Sequence, residues 1–397
     1  MNERVMIRVA PFGMDLVMSL FSLAAPLLLI ELHANPIELG LIGGITSAVH
    51  MGVAHRMGPF SDRFGRRRLI LIAPLLLASS CLLAVITGQV MFFLMLSALN
   101  GLCLSLFWPP FQAWVAERQT GAGLARDIGT LNLAWTAAYL VGPIVSGFLF
   151  SLHPKLPFLF AAAIALLLFI LNYGSIHDQG GRTAGRETPR KAESPGREKS
   201  FLYIVWIANF MSWFLLGNVR YQFPKLAKEL GTGPQTIGIL IGCLGFSLFL
   251  GFFVLRLSPM WHFRRRYLFG AQSLGAAGAL ILFSATQTPW FGLALALVGF
   301  SASVTYYSSL LYAVQLSSEK GKGTGRHESI LSLGGLLGPV LGGVAAYAAG
   351  LRAPYLICFF LLLAAILSEW FILHKRNAPS KGKSLTTKVK VEAKVKN

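Results

Sequence analysis

An ionisable side chain inside an apolar stretch is costly to keep there, so each one marks a place where charge or a proton is used. Four such residues stand out. Asp15 lies about one turn into the first apolar run. It can carry a proton, bind a cation or line a polar cavity; alternatively it caps its helix or pairs with Arg4 or Arg8. His50 sits deep in the second run, with the one side chain whose ordinary titration falls near neutral pH. A hydrogen-bonded structural histidine fits the same place. Arg220, toward one end of the seventh run, can bind an anion or pair across a cavity, or snorkel to the interface on its long stem. Glu369, near the end of the last run, reads as interfacial.

A second set is aromatic and amide. Trp108 and Gln112 fall within Phe107-Trp-Pro-Pro-Phe-Gln-Ala-Trp114, and Tyr306 and Tyr307 lie in a later run. Asn132 with Trp135, and Asn209 with Trp213, repeat the pairing at three or four residues. Such groups stack on and hydrogen-bond to amphipathic organic molecules. Trp and Tyr also gather at membrane interfaces regardless of function, and the sequence leaves both readings open.

A third set lies between two runs: Gly58-Pro-Phe-Ser-Asp62-Arg63-Phe-Gly65-Arg66-Arg67-Arg68. The glycines suit a tight turn between antiparallel helices. Asp62 can accept from a helix N-terminus or pair with arginine, and the arginines sit where anionic lipid headgroups lie. Enzyme motifs are missing: there is no H-E-x-x-H, no G-x-S-x-G and no complete phosphate-binding loop. Gly382-Lys383-Ser384 imitates the end of that loop, but Asn377 stands where its first glycine belongs. Cys81, Cys103, Cys243 and Cys358 each fall within an apolar run, without metal-ligand spacing or a disulfide pattern. Neither metal nor cofactor is expected, and the chain reads as no enzyme.

The elements holding these residues are set by composition. The 397 residues are 54% hydrophobic and 13% charged, against about 25% charged in soluble proteins, so a soluble enzyme is excluded. A spanning helix needs about 20 mostly apolar residues. Twelve runs meet this, at 12–32, 38–57, 69–88, 90–114, 128–150, 156–175, 201–223, 235–257, 267–286, 289–314, 329–350 and 353–374. Residues 176–200 turn to Gly, Arg, Glu, Pro and Ser and read as a solvated linker. The tail 375–397 is lysine-rich and polar, and no cleavable signal peptide is evident.

The net charge of +19 would suggest nucleic-acid binding in a soluble chain. Here it has another source. With both termini and the linker on one side of the membrane, 30 of the 35 Lys and Arg fall on that side. Positive residues stay inside during insertion, so both termini are expected in the cytoplasm.

The halves repeat. Pro26, Pro36, Gly40, Gly44 and Arg66-Arg67-Arg68 recur at Pro224, Pro234, Gly238, Gly242 and Arg264-Arg265-Arg266, each 198 residues on. Gly142-Pro143 and Gly147 recur at Gly338-Pro339 and Gly343, 196 residues on. The expected fold is an all-α integral membrane protein, twelve transmembrane helices in two six-helix bundles related by a parallel repeat. The bundles are assigned to 1–175 and 201–374.

The loop Gly58 to Arg68 resembles the G-x-x-x-D-R-x-G-R-R loop of the major facilitator superfamily, at the expected place between spans 2 and 3. With twelve spans and a central linker, the resemblance covers essentially the whole chain. It implies two bundles around a cavity near the bilayer midplane, lined by helices 1, 4, 7 and 10. It makes Gly58, Asp62, Arg63, Gly65, Arg66 and Arg67 part of a cytoplasmic gate beside helix 11. Arg126-Asp127 and Arg326-His327-Glu328, at the starts of helices 5 and 11, become ion-pair candidates across the half–half boundary; helix capping explains the acids as well. Span 11 carries Gly334, Gly338, Pro339, Gly342 and Gly343, similar to the family's G-x-x-x-G-P-x-x-G-G signature. Span 5 has a degenerate copy around Gly142, Pro143 and Gly147. Both provide small-residue faces with a proline bend, suited to close packing and hinging. One departure concerns span 4: Ser97 stands where drug–proton antiporters of this superfamily usually carry arginine. The sugar-porter signatures are also absent.

The resulting expectation is a monomeric secondary carrier in the plasma membrane of a bacterium. It would move a small organic solute by alternating access, with a proton or other coupling ion. Its remaining partners are anionic lipid headgroups, not nucleic acid. A non-transporting sensor or scaffold on the same fold is the alternative.

Overall fold

The computed structural model describes residues 3–116, 121–176, 195–316 and 320–377. Its elements are α1 (Glu3–Glu31), α2 (Pro36–Phe64), α3 (Arg66–Ile86), α4 (Val90–Ala116), α5 (Gly121–Leu152) and α6 (Leu156–Tyr173). The second half holds α7 (Pro195–Glu229), α8 (Pro234–Leu257), α9 (Arg265–Ser284), α10 (Thr288–Leu316), α11 (Lys320–Ala349) and α12 (Ala353–Asn377). A 3-10 turn, Pro259–Trp261, precedes α9. Each of the twelve contains a segment long and apolar enough to cross a membrane. No strand occurs among the described residues.

The helices overrun the apolar runs mainly at one end. Hydropathy marks only the part in contact with lipid or core, while a helix continues into water as long as its backbone bonds hold. Thus α1 starts at Glu3, α5 at Gly121, α7 at Pro195 and α11 at Lys320. Most of the expected linker and tail lies outside the described residues.

The turns are short and specified locally. Asn35 starts α2 with a capping box: its Oδ1 accepts from the Glu38 amide at 3.0 Å, and its own amide donates to Glu38 Oε2 at 2.7 Å. Pro36 fits the first turn that follows. At the other end, α2 runs through Gly58 to Phe64, so the chain does not turn over the whole of 58–65. It reverses at Gly65, whose φ of 90° favours glycine.

Helices α3, α6, α9 and α12 stand outermost, presenting Ile72, Leu82, Leu166, Ile170, Leu280, Phe360 and Phe371 outward. The two bundles, α1–α6 and α7–α12, meet along α2–α11 and α5–α8. The repeat is built into these contacts. Pro36 and Gly40 of α2 meet Pro339 and Gly343 of α11, while Pro234 and Gly238 of α8 meet Pro143 and Gly147 of α5. A methyl group added at Gly147 or Gly343 would come within 2.5 Å of the Pro234 or Pro36 carbonyl oxygen. Only glycine lets these backbones approach so closely.

Candidate functional site

Between the halves lies a cavity enclosing about 1070 Å³ of open space, its mouth included. Its wall takes Asp15, Met18 and Ser22 from α1; Thr46, Ser47 and His50 from α2; Leu104, Trp108 and Gln112 from α4. It takes Leu131, Trp135 and Tyr139 from α5, Trp213, Leu216, Gly217, Arg220 and Tyr221 from α7, and Tyr306 from α10. Glu328, Leu331, Ser332 and Gly335 complete it from α11. Helices 1, 4, 7 and 10 therefore do not line it alone. Three more helices, α2, α5 and α11, share the wall; glycines at 40, 44 and 335 pack α2 and α11 closely on each other, and Gly338 packs α11 on α7.

The charged groups converge on this space. Asp15 is 6% exposed and lies midway along α1, not near its start, because that helix begins nine residues before the apolar run. The cap and the Arg8 pairing are thereby replaced by a cavity position; the Arg4 side chain lies outside the described residues. Arg220 reaches from α7 across the boundary to the Tyr139 ring of α5, its guanidinium carbon 4.7 Å from the ring centroid. That geometry is a cation–π contact, and it replaces the snorkelling alternative. Asp15 and Arg220 act on each other electrostatically, but no ion pair within 4.0 Å joins them.

The Arg220–Tyr139 contact also divides space. Behind it, toward the α1–α2 and α7–α8 turns, lies a smaller pocket lined by Ser19, Leu23, Pro143, Val219, Ile241 and Leu244. Ser22, Tyr139, Leu216 and Arg220 border both spaces.

His50 lines the cavity with its Nδ1 3.1 Å from Ser105 Oγ, combining the polar-wall and hydrogen-bonded readings. Trp135, Tyr139 and Tyr306 form an aromatic group with centroid separations of 5.5 Å for Trp135–Tyr139 and Trp135–Tyr306. Trp213 joins it at 6.3 Å from Tyr306.

Three expected wall residues stand elsewhere, and one of them, Asn209, is fully buried and does not border the cavity. Asn132 is 2% exposed and accepts from Trp135 Nε1 at 3.1 Å, so it orients that indole from behind. Tyr307 packs on Phe252 and Trp261 at 5.6 and 5.3 Å, off the cavity, because adjacent residues on a helix point some 100° apart. Glu369 is not interfacial. It is fully buried and accepts from Gln272 Nε2 at 2.7 Å across α9 and α12.

At the loop between α2 and α3, Asp62 Oδ1 accepts from Arg66 Nη2 at 2.8 Å, with the Asp62 side chain 60% exposed. Arg67 donates to the Tyr173 carbonyl at 3.0 Å and covers the Tyr173 ring. The Asp62–Arg66 and Arg67–Tyr173 contacts stay within the first half. Arg63 is exposed. Glu328 faces the cavity, where the Gln112 amide is its neighbour, and Arg326 is exposed. His327 is buried, its Nδ1 2.8 Å from Ser309 Oγ. Asp127 is half-buried; the Arg126 side chain lies outside the described residues. Glu328 thus stands on the cavity wall, and its expected pairing with Arg126 lies outside the described residues.

Residues passed over in the sequence include Tyr139, Thr46, Ser47 and Tyr221. Tyr139 follows Trp135 by four residues, the helical spacing that puts both on one face. Thr46 and Ser47 precede His50 by four and three.

The far end, at the α1–α2 and α7–α8 turns, is sealed by polar contacts between the halves. Lys225 Nζ donates to the Ala34 carbonyl at 2.7 Å and Gln222 Nε2 to the Pro36 carbonyl at 3.0 Å. Lys228 pairs with Glu31 at 3.3 Å, and Gln235 donates to Ser151 at 2.7 Å. From there the cavity extends toward the end that carries Gln112, Glu328, the start of α1 and the end of α12.

Comparison with known proteins places this architecture. The family model described as Major Facilitator Superfamily matches residues 9–317 and 205–395. Multidrug resistance protein 1 of Bacillus subtilis is 25% identical over 338 residues, covering 80% of this chain and 83% of that protein. The quinolone resistance protein NorA of Staphylococcus aureus is 21% identical over 362 residues, covering 86% and 89%. A bacterial homologue of the human lysosomal transporter Spinster, in an inward-facing and unoccupied conformation, superposes with a TM-score of 0.73. It is 14% identical, with 95% and 98% of the two chains covered.

Proposed function

This chain belongs to the major facilitator superfamily, and from that premise we propose that it is a secondary active transporter moving a small amphipathic organic solute by alternating access. The observation that carries the reading is the cavity between the repeated halves. It is sealed at the far end by matched glycine–proline contacts and cross-half hydrogen bonds. Two related bundles around one central site can rock so that each end opens in turn.

The wall suits an amphipathic molecule. Indoles and phenols supply stacking faces, while Asp15, Arg220, Gln112 and Glu328 supply a few polar anchors. The names of the relatives support drug-like solutes. Asp15 and Glu328 are carboxyls on the path of the solute, and proton exchange at either one couples its movement to a proton gradient. The basic residues on the side of the termini support a cytoplasmic location for that end. The cavity then faces the cytoplasm, ready to load a solute for export. Gly58, Asp62, Arg63, Gly65, Arg66 and Arg67 form the gate at that end.

The test uses the purified chain in proteoliposomes, with a fluorescent amphipathic amine and a fluorescent amphipathic acid. A pH gradient is expected to drive movement of at least one of them, and an uncoupler to stop it. If neither moves under any ion or pH gradient and neither binds, the non-transporting sensor or scaffold takes its place.

A further inference from the structure

Asp15 and Arg220 face one another across the boundary between the halves without meeting. Asp15 is more than nine-tenths buried and borders the cavity, yet its carboxyl accepts no hydrogen bond from any described residue. Arg220 also borders the cavity. Its guanidinium has one face on Tyr139, with the phenol oxygens of Tyr139 and Tyr221 as neighbours. A guanidinium has five N–H donors, more than two phenols can take up. Among the described residues, no carboxylate lies within 4.0 Å of it.

Charges in a membrane core are costly unless they are paired. A direct ion pair would be the simplest solution, and it is not made. What fits the gap is a ligand with the opposite charges: an anionic group for the arginine fork and a cationic group for the carboxyl. Both must sit on one small headgroup, because Ser19, one turn from Asp15 on α1, bonds the Ala138 carbonyl at 3.2 Å, and the next residue, Tyr139, carries Arg220 on its ring. Below them, toward the mouth, Leu216, Trp213, Trp135 and Tyr306 offer an apolar and aromatic bed.

We propose that the deep end of the cavity binds a compact zwitterionic headgroup, amine and acid on neighbouring atoms as in an α-amino acid, with an aromatic or apolar body lying toward Trp135, Trp213 and Tyr306. Arg220 holds the acid in its fork and Asp15 holds the amine. The headgroup joins α1 to α7, and so one half to the other. This inference rests on the transporter reading and narrows its substrate class.

Four indoles that share one ring test it: free tryptophan (zwitterion), tryptamine (amine only), indole-3-propionate (acid only) and 3-methylindole (neutral). Binding to the purified full chain is read from the rise in unfolding temperature with ligand concentration. Tryptophan is expected to bind at least tenfold tighter than either singly charged indole. Arg220→Gln should bring tryptophan to the level of tryptamine, and Asp15→Asn to that of indole-3-propionate, with 3-methylindole unaffected in both. The comparison in the unmodified chain needs no variant, so a variant that fails to fold does not spoil the test. Equal binding of tryptophan and tryptamine, or of tryptophan and indole-3-propionate, would overturn the proposal. So would the absence of binding by all four, or variants that weaken the neutral indole as much as the zwitterion. Gradient-driven movement of the amphipathic dyes would survive each of these results, which keeps the failure of this inference separate from failure of the transporter reading.

Discussion

A carboxyl that borders a cavity and accepts from no neighbouring donor can exchange its proton with whatever fills that cavity. Asp15 is such a group. Asp15→Asn keeps the shape and removes the exchange, so at solute concentrations raised enough to offset the weaker binding, counterflow should persist while accumulation driven by a pH gradient falls at least tenfold. Both are measured in the same proteoliposomes. Proton-driven accumulation that survives would exclude Asp15 as the coupling acid and leave Glu328 on the same wall. At this scale the sequence was legible in residue type more than in position. Asp15 and Arg220 stand out as charges in apolar runs, but their depth depends on where α1 begins and on how far an arginine stem reaches. Tyr139 was passed over because nothing in a single chain's sequence pairs a tyrosine of one half with an arginine of the other. Asn132 and Tyr307 were placed on the wall because their chemistry fits a ligand, and rotation about the helix axis put each elsewhere.

Elements turn such positions into geometry, and the glycine–proline contacts show how. Gly343 lies where α11 crosses the start of α2, and an added methyl there would press on the Pro36 carbonyl. Backbone cannot yield as a flexible side chain does. Gly343→Val should therefore wedge α11 from α2 and bias the molecule toward a far-end-open state. Spin labels at Leu152 and Glu229, both exposed near that end, should show a population at longer distance. An unchanged distance distribution would mean that the crossing yields without opening. This contact was partly legible beforehand. The repeats at offsets of 198 and 196 identified Pro36, Gly40, Pro339 and Gly343 as counterparts of Pro234, Gly238, Pro143 and Gly147. Which would touch which was not, because a repeat gives equivalence and not proximity. The loop after α2 behaves differently. Its Asp62–Arg66 pair is exposed, so Asp62→Asn should cost less than about 1 kcal/mol of stability. The expected effect is on turnover: slower cycling with normal insertion, followed as transport rate per inserted protein. An unchanged rate would remove Asp62 from the gate.

For the whole molecule, the balance between the two ends decides which state is populated. The far end is held by Lys225 on the Ala34 carbonyl, Gln222 on the Pro36 carbonyl and the Lys228–Glu31 pair. All three join one half to the other. The exposed Lys228–Glu31 pair adds little. The Gln222 bond contributes about 0.5–1.5 kcal/mol, and the charged Lys225 bond about 1.5–3 kcal/mol. Removing both in Gln222→Ala/Lys225→Ala therefore costs the far-end-closed state about 2–4.5 kcal/mol, provided that neither contact exists in the opposite state. That is a shift of roughly 30- to 1,500-fold in the equilibrium between the ends. A single cysteine at Val219, beside the small pocket and almost fully buried, reports it in a background without the four native cysteines. Labelling by a membrane-impermeant maleimide added from the far side should accelerate by a comparable factor in the double variant. A rate equal to that of the parent would mean that the glycine–proline crossings alone keep the end shut. The same reagent added from the termini side should label more slowly, because a molecule that opens one end by rocking must close the other. Faster labelling from both sides would instead describe a channel-like leak, and would count against alternating access.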